Sequence, residues 1–183
     1  MRWLDFAGAV VLGVWGGMAV SSSTPLAWLV ALQCAVAGVL ILAHPRPRRE
    51  APAWVRMAAW GAVLLPFGLR APHAPWWSLV LSGTGVAVSL WAMISLGTAF
   101  GIAPADRGLV TGGPYRWVRH PMYTGEALSW LAVVLSNPCG RNLALGGVLL
   151  AVLGLRVWWE ERVIMGYDAY RVQTPWRFVP GVW

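Results

Sequence analysis

The sequence predicts an all-α, polytopic integral membrane protein, and three observations carry that reading. Of its 183 residues, 58% are hydrophobic and only 11% are charged, whereas about a quarter of the residues in soluble domains carry charge. Mean hydropathy is +0.60. The apolar residues gather in six runs, each near the length that crosses a bilayer as a helix, about 20 residues or about 17 where flanking groups snorkel. Helices are the expected form because hydrocarbon offers no water to unpaired peptide groups, and the runs lack the two-residue alternation of barrel strands.

The first run, Trp3 to Val20, has a charge ahead of it and small residues behind it. It imitates a secretory signal, but we expect it to be retained as a spanning helix. Leu26 to Ala43 follows the turn SSSTP, and HPRPRREAP separates it from Trp54 to Leu69, where Pro66 predicts a kink. After APHAP comes Trp76 to Leu96, whose Gly83-Thr84-Gly85 permits close helix approach. A long polar stretch, residues 98–121, leads into Met122 to Ser136, and the turn SNPCGRN leads into Leu143 to Trp159 with its Gly146-Gly147 pair. These last two runs are short and tightly joined, which predicts a helical hairpin whose outer ends lie side by side. The expected division is residues 1–97 as four N-terminal helices and residues 98–183 as loop, hairpin and tail holding the site. That makes about five to six spanning helices.

All 14 basic residues are arginine, giving a formal net charge of +7 that no physiological pH removes. With a cytoplasmic N-terminus, one face receives Arg2, Arg46, Arg48, Arg49, Arg56, Arg107, Arg116, Arg119, Arg162, Arg171 and Arg177. The other keeps Arg70 and Arg141. That bias is the one expected of cytoplasmic loops, and it puts the 98–121 loop and the tail on the cytoplasmic side. The arginines sit in short loops between apolar runs, so nucleic acid is excluded as a partner. Cys34 and Cys139 have no CxxC or ligand-like spacing, so neither a disulfide nor a metal site is expected.

The stretch GGPYRWVRHPMYTGE, residues 112–126, places two arginines, a histidine and a glutamate at the mouth of an apolar run. Charge at a membrane boundary is expensive and marks a functional site by default. Glu126 lies one turn into the fifth run and Glu160-Glu161 end the sixth, with Arg116, Arg119 and Arg156 as natural partners. The plainer reading is a set of ion pairs anchoring the helices to the headgroup layer. Against it, His120, Tyr115, Tyr123, Tyr167 and Tyr170 add more hydrogen-bonding tips than anchoring requires. Gly112-Gly113-Pro114 suits a tight turn, and His120-Pro121 suits a helix start whose free N–H groups favour an anion. Gly125 leaves room for a flat group. Glu160, Ile164 and Tyr167 share one helical face, as do Tyr170 and Thr174.

GPYRWVRHPMYTG, a Glu pair one hydrophobic hairpin later, and YDAYRVQTPWRFVPG together resemble the isoprenylcysteine carboxyl methyltransferase family and its bacterial relatives, which are similar to phospholipid N-methyltransferases. LGTAFGIAPADRGLVTGGPYR also fits the bacterial branch, and the resemblance covers about residues 96–183. It implies a bacterial inner-membrane methyltransferase that binds S-adenosylmethionine at the cytoplasmic ends of the last helices. The implied partners are membrane lipids and a lipid-like or prenyl-like acceptor, with no partner protein evident. Carried over by motif, Tyr115, His120, Pro121, Tyr123, Gly125, Glu160 and Glu161 would bind the cofactor. Arg119, Glu161, Arg171 and Arg177 would be catalytic, the arginines facing the acceptor's head group.

The chemistry of that cofactor matches the residue types. Carboxylates, a histidine, helix N-termini and aromatic faces answer its sulfonium, ammonium, carboxylate, ribose and adenine. No GxGxxG follows a predicted strand, which excludes the doubly wound soluble fold. A carboxylate acceptor needs no base; an amine would, with Glu126, Glu160 or Glu161 as candidates. One departure stands out. Better-known members have a longer spacing between the Glu pair and the YxxY element, whereas EERVIMG here runs straight into Tyr167, leaving open which Glu and which Arg face the pocket. Two other readings exist. Sterol-type reductases using NADPH carry a similar RHPxY, usually RHPNY, where this chain has Met122. A non-enzymatic accessory protein with a vestigial pocket is the third, although the Arg-His-Pro and the Glu pair are intact.

Overall fold

The computed structural model describes residues 8–14, 16–17 and 25–182. The first apolar run, Trp3 to Val20, lies largely outside the described residues; residues 8–14 within it are helical. Six further helices follow: α1 (Pro25–Ala43), α2 (Ala53–Ala62), α3 (Trp76–Leu96), α4 (Pro121–Ser136), α5 (Gly140–Val163) and α6 (Tyr167–Gln173). A two-residue ladder, β1 (Arg49–Glu50) with β2 (Ala105–Asp106), is antiparallel and pairs Arg49 with Asp106 and Glu50 with Ala105.

Proline and glycine punctuate these elements. α2 and α3 start directly after Pro52 and Pro75, and α4 takes Pro121 into its first turn, where a missing N–H costs nothing. Gly97 (φ 53°) ends α3, and Gly166 (φ 80°) turns the chain between α5 and α6, both in the left-handed region that only glycine enters without strain.

Among the described residues, three helices are long and apolar enough to cross a membrane: Leu26–Ala43, Trp76–Ala99 and Gly140–Val163. The expected third span differs. Instead of one helix kinked at Pro66, α2 stops at Ala62 and a 3-10 turn, Leu65–Gly68, completes a shorter apolar segment. Pro66 lacks the N–H that would continue the α-helical ladder. Many large apolar side chains face outward, Trp28, Leu79 and Val80 among them, as lipid-facing surfaces require.

α4 makes its most extensive contact with α3, not with its chain neighbour α5. The crossing point is glycine on glycine. A Cβ on Gly85 would meet the Gly125 carbonyl oxygen at 2.6 Å and the Ser129 nitrogen at 2.8 Å, and one on Gly125 would meet the Ser89 nitrogen at 2.6 Å. Removing both side chains lets the backbones touch, the packing mode available to helices when lipid offers no hydrophobic drive. Ser129 supports the crossing by donating to the Ser82 and Gly125 carbonyls at 3.1 and 3.0 Å.

The two ends of the helices are locked differently. At one end the β-ladder joins the α1–α2 link to the 98–121 loop. At the other, the fully buried Asn142 side chain accepts from the Arg70 N–H at 3.1 Å and donates to the Arg70 and Asn137 carbonyls, each at 2.8 Å. The two links are thereby held on the first turn of α5.

Substituting Gly85→Val should therefore push α3 and α4 apart and cost about 3 kcal/mol, at the upper end for overpacking. Gly83→Ala, where an added Cβ meets nothing within 4 Å, should leave the midpoint nearly unchanged. Thermal unfolding of both variants in detergent, followed by circular dichroism, checks the pair.

Candidate active site

The site forms where the start of α4, the end of α5, α6 and the C-terminal tail meet. The tail runs alongside the entrance to α4: the N–H groups of Arg119 and His120 donate to the carbonyls of Trp176 and Arg177, each at 2.9 Å. Thr124 Oγ1 donates to the Phe178 carbonyl at 3.1 Å. These bonds place residues 175–178 directly against the Arg-His-Pro segment.

Glu161 binds the assembly together. Its carboxylate accepts from Arg119 at 3.0 Å and from Arg177 through two nitrogens at 3.1 and 2.9 Å, and it lies 3.2 Å from His120 Nε2. The paired contact with Arg177 is the bidentate geometry that makes guanidinium–carboxylate pairs strong. Tyr167 Oη sits 3.0 Å from the same His120 nitrogen. The hydrogen bond to Glu161 holds the Arg177 guanidinium above its ordinary value, so it is charged at every accessible pH.

Glu160 points elsewhere. It accepts a hydrogen bond from Tyr123 Oη and lies 3.9 Å from His120 Nδ1. With Tyr115, Arg119, His120, Tyr123, Tyr167 and Tyr170, it lines a cleft. All four tyrosines of the chain stand in this cleft. The His120 ring stacks between Tyr123 and Tyr167, with centroids at 5.7 and 6.2 Å. Tyr170 donates to the Tyr115 carbonyl at 2.6 Å, fixing α6 to the segment before α4. Arg119 Nε is buried and, among the described residues, has no hydrogen-bond partner.

Of the sequence-derived candidates, Tyr115, Arg119, His120, Tyr123 and Glu160 line the cleft, and Glu161 and Arg177 form the ion-pair cluster behind it. Pro121 starts α4 just beside it. Gly125 is not in the cleft; it is consumed by the crossing with α3. Arg171 is exposed on α6, paired with Asp168 at 3.4 Å, and does not line the cleft. Arg116, an expected partner for the glutamates, instead lies over the Trp117 ring at 4.3 Å.

Sequence reasoning missed two features. The first is Asp106, almost fully buried, which accepts from the Gly108 N–H at 3.0 Å and the Met165 N–H at 3.4 Å. It joins the loop lining the cleft to the turn after α5. Its signal was an acid two residues before a glycine, in the Asp106-Arg107-Gly108 turn of an otherwise apolar stretch. The second is a larger apolar cavity, about 350 Å³, between Leu12 of the first run and helices α1, α2, α3, α4 and α5. Glu126 and Arg156 face into it, paired at 3.4 Å, and the Arg156 guanidinium lies 4.5 Å from the centroid of the Tyr123 ring.

Cleft and cavity are separated by a single layer of residues. Between them runs the segment 99–103, whose residues Ala99, Gly101 and Ala103 line the cleft while Phe100 and Ile102 line the cavity. The helices partition the same way: on α5, Arg156 faces the cavity and Glu160, one turn on, faces the cleft; on α4, Tyr123 faces the cleft and Glu126 the cavity.

Two outcomes follow. Burial, reinforced by the charge of Glu160, pushes the Tyr115 phenol well above its ordinary value; burial, then Glu161, does so for Tyr167; and burial pushes Tyr170 up to about 12. Raised phenol values favour the neutral form in the fold, so this stabilisation is complete below the unfolded value of about 10 and is lost as pH rises beyond it. The thermal midpoint should stay flat from neutral pH to about pH 9 and then fall, while tyrosinate absorbance develops well above pH 10 in the folded protein and near 10 in the unfolded chain. Separately, Glu161→Gln leaves Arg119 and Arg177 without their carboxylate and should cost about 3 kcal/mol. Faster tryptic cleavage after Arg171 would read the released tail.

The model of the phospholipid methyltransferase family matches residues 73–167, just over half of the 183-residue chain. No curated protein matches the chain significantly. The matched span runs from before α3, through the RHPMYTG segment, to the Tyr167 that contacts His120, and on that match the chain belongs to the phospholipid methyltransferase family, whose members are membrane methyltransferases.

Proposed function

We propose that this protein transfers a methyl group from S-adenosylmethionine to a lipid-like acceptor that arrives laterally from the bilayer, with the cofactor in the cleft and the acceptor in the apolar cavity. One observation carries the reading: a polar, aromatic-lined cleft and an apolar cavity stand back to back across Tyr123, Arg156 and the 99–103 segment. A polar donor and an apolar acceptor need opposite solvents, and this arrangement supplies each beside the other.

The cleft's residues suit the cofactor. Arg119 Nε, buried with no partner among the described residues, supplies a donor for a carboxylate. Glu160, with 20% of its side chain exposed, supplies an acceptor for an ammonium or for ribose hydroxyls. The rings of Tyr115, Tyr123, His120, Tyr167 and Tyr170 offer faces to a sulfonium and an adenine. When bound, the cofactor supplies an electrophilic methyl group on a cationic sulfur. The chain's own contribution is to orient the two partners and exclude water. Glu161, saturated by Arg119, His120 and Arg177, holds the tail and the His120 ring in place. We assign Arg177 the same positioning role and leave Arg171 outside the site. Because Arg-rich loops gather at the end of the helices that carries the cleft, we place the site on the cytoplasmic side of a bacterial inner membrane.

Calorimetric titration of S-adenosylmethionine and S-adenosylhomocysteine into detergent-solubilised protein tests this. Both should bind, and Glu160→Gln should weaken S-adenosylmethionine by about tenfold to a hundredfold, the worth of a hydrogen bond to a charged group. His120→Ala should weaken both ligands. Failure of well-folded wild type to bind either one would remove the proposal.

A further inference from the structure

We infer that the apolar cavity is built to hold a neutral hydroxyl group, carried on an apolar body, between Glu126 and Arg156; calling that molecule the methyl acceptor rests on the function proposed above, but the binding site does not. Most of the cavity wall is hydrocarbon, and two of its other polar side chains already have partners. Gln33 donates to Ser89 at 3.2 Å, and Ser129 donates to two backbone carbonyls of the α3–α4 crossing. Glu126 and Arg156 are different. Their one contact, at 3.4 Å, is at the long limit of a hydrogen bond. Arg156 Nε is buried and has no partner among the described residues, and the Arg156 residue as a whole is only 9% exposed. A buried guanidinium with an idle donor beside a carboxylate with idle lone pairs is a costly arrangement unless a third group completes it.

Charge selects that group. The pair is neutral as it stands, so a charged head would add a third, unbalanced charge to a low-dielectric space. A carboxylate would meet Glu126, and an ammonium would meet Arg156. Donor count selects further. An ester or ether accepts from Arg156 but gives Glu126 nothing, and a hydrocarbon answers neither. A hydroxyl donates once and accepts twice, so it donates to Glu126 and accepts from Arg156 at the same time. The Tyr123 face, 4.5 Å from the Arg156 guanidinium, holds the other side of the guanidinium, so the incoming group approaches from the cavity.

The test uses four brominated twelve-carbon probes, bromododecanol, bromododecanoate, bromododecyl-trimethylammonium and bromododecane, with the full-length protein in phosphatidylcholine nanodiscs. Bromine quenches nearby tryptophan, and Trp130 lines the cavity; the quenching that disappears in Trp130→Phe reports cavity occupancy apart from simple partitioning. Bromododecanol should occupy the cavity at a concentration about tenfold lower than either charged probe, equivalent to about 1.4 kcal/mol. Glu126→Gln, which keeps the shape but leaves Arg156 unbalanced, should turn the preference to the carboxylate. Arg156→Gln should turn it to the ammonium, with helicity checked in the same samples. Wild type that favours a charged probe, the absence of any Trp130-dependent signal, or a folded Glu126→Gln variant that still prefers the alcohol would overturn the inference. S-adenosylmethionine titrated into the same nanodiscs separates the two ideas: alcohol preference without cofactor binding removes the methyltransferase reading alone, and cofactor binding without alcohol preference removes this one.

Discussion

The Glu161 carboxylate, at the last turn of α5, collects Arg119 from the segment before α4, His120 from the residue that directly precedes the helix and Arg177 from the tail. Without it, two guanidinium groups would share a half-buried corner with no counter-charge, and the tail would lose its ionic attachment. With it, three segments far apart in the chain are drawn to one point, and the backbone bonds from Arg119 and His120 to the tail carbonyls become geometrically available. His120 then stacks between two tyrosines, and Tyr123 is aimed at Glu160. The cleft is thus the empty side of a charge cluster whose occupied side faces the tail.

A second constraint acts from within the bilayer. The α3–α4 crossing at Gly85 and Gly125 brings two backbones into contact, which fixes the rotation of α4 about its axis. With that face fixed, the rise of about 1.5 Å per residue leaves Met122 and Tyr123 at the cleft and carries Glu126, about one turn further along α4, to the cavity. On α5 the four-residue interval from Arg156 to Glu160 performs the same division. Charge deep among helices is tolerated here because it is paired across them, Glu126 with Arg156, and capped by an aromatic face. One row of side chains thereby separates a polar compartment from an apolar one.

Much of this was legible before any coordinates. Helix α3 was expected from Trp76 to Leu96 and is found there, and α1 differs from its expected range by one residue, because long uninterrupted apolar runs have no other stable form in lipid. Residues 112–126 and the Glu pair were singled out because charge at a membrane boundary demands a partner. The third apolar run was misread as one kinked helix, since periodicity does not say whether a proline bends a helix or replaces it with a 3-10 turn. The expected hairpin neighbour of α4 was α5, whereas its closest partner is α3, because the fit of glycine to glycine across space leaves no trace in loop length.

What the sequence determined by itself was the class of protein, the position of most helices and the segments where polar chemistry concentrates, since each depends on hydropathy, proline and glycine along a local stretch. What only the tertiary structure decided was the division of labour between adjacent groups. Glu160 and Glu161 are chemically identical neighbours, yet about 100° of helical rotation between successive residues turns one to the cleft and the other to the tail. Arg171 and Arg177 both follow α5, and only the second is brought to the site, by the backbone bonds of Trp176, Arg177 and Phe178 to the start of α4. The apolar cavity, with its pair of Glu126 and Arg156, belongs to no single segment at all; it exists only where several helices leave a space between them.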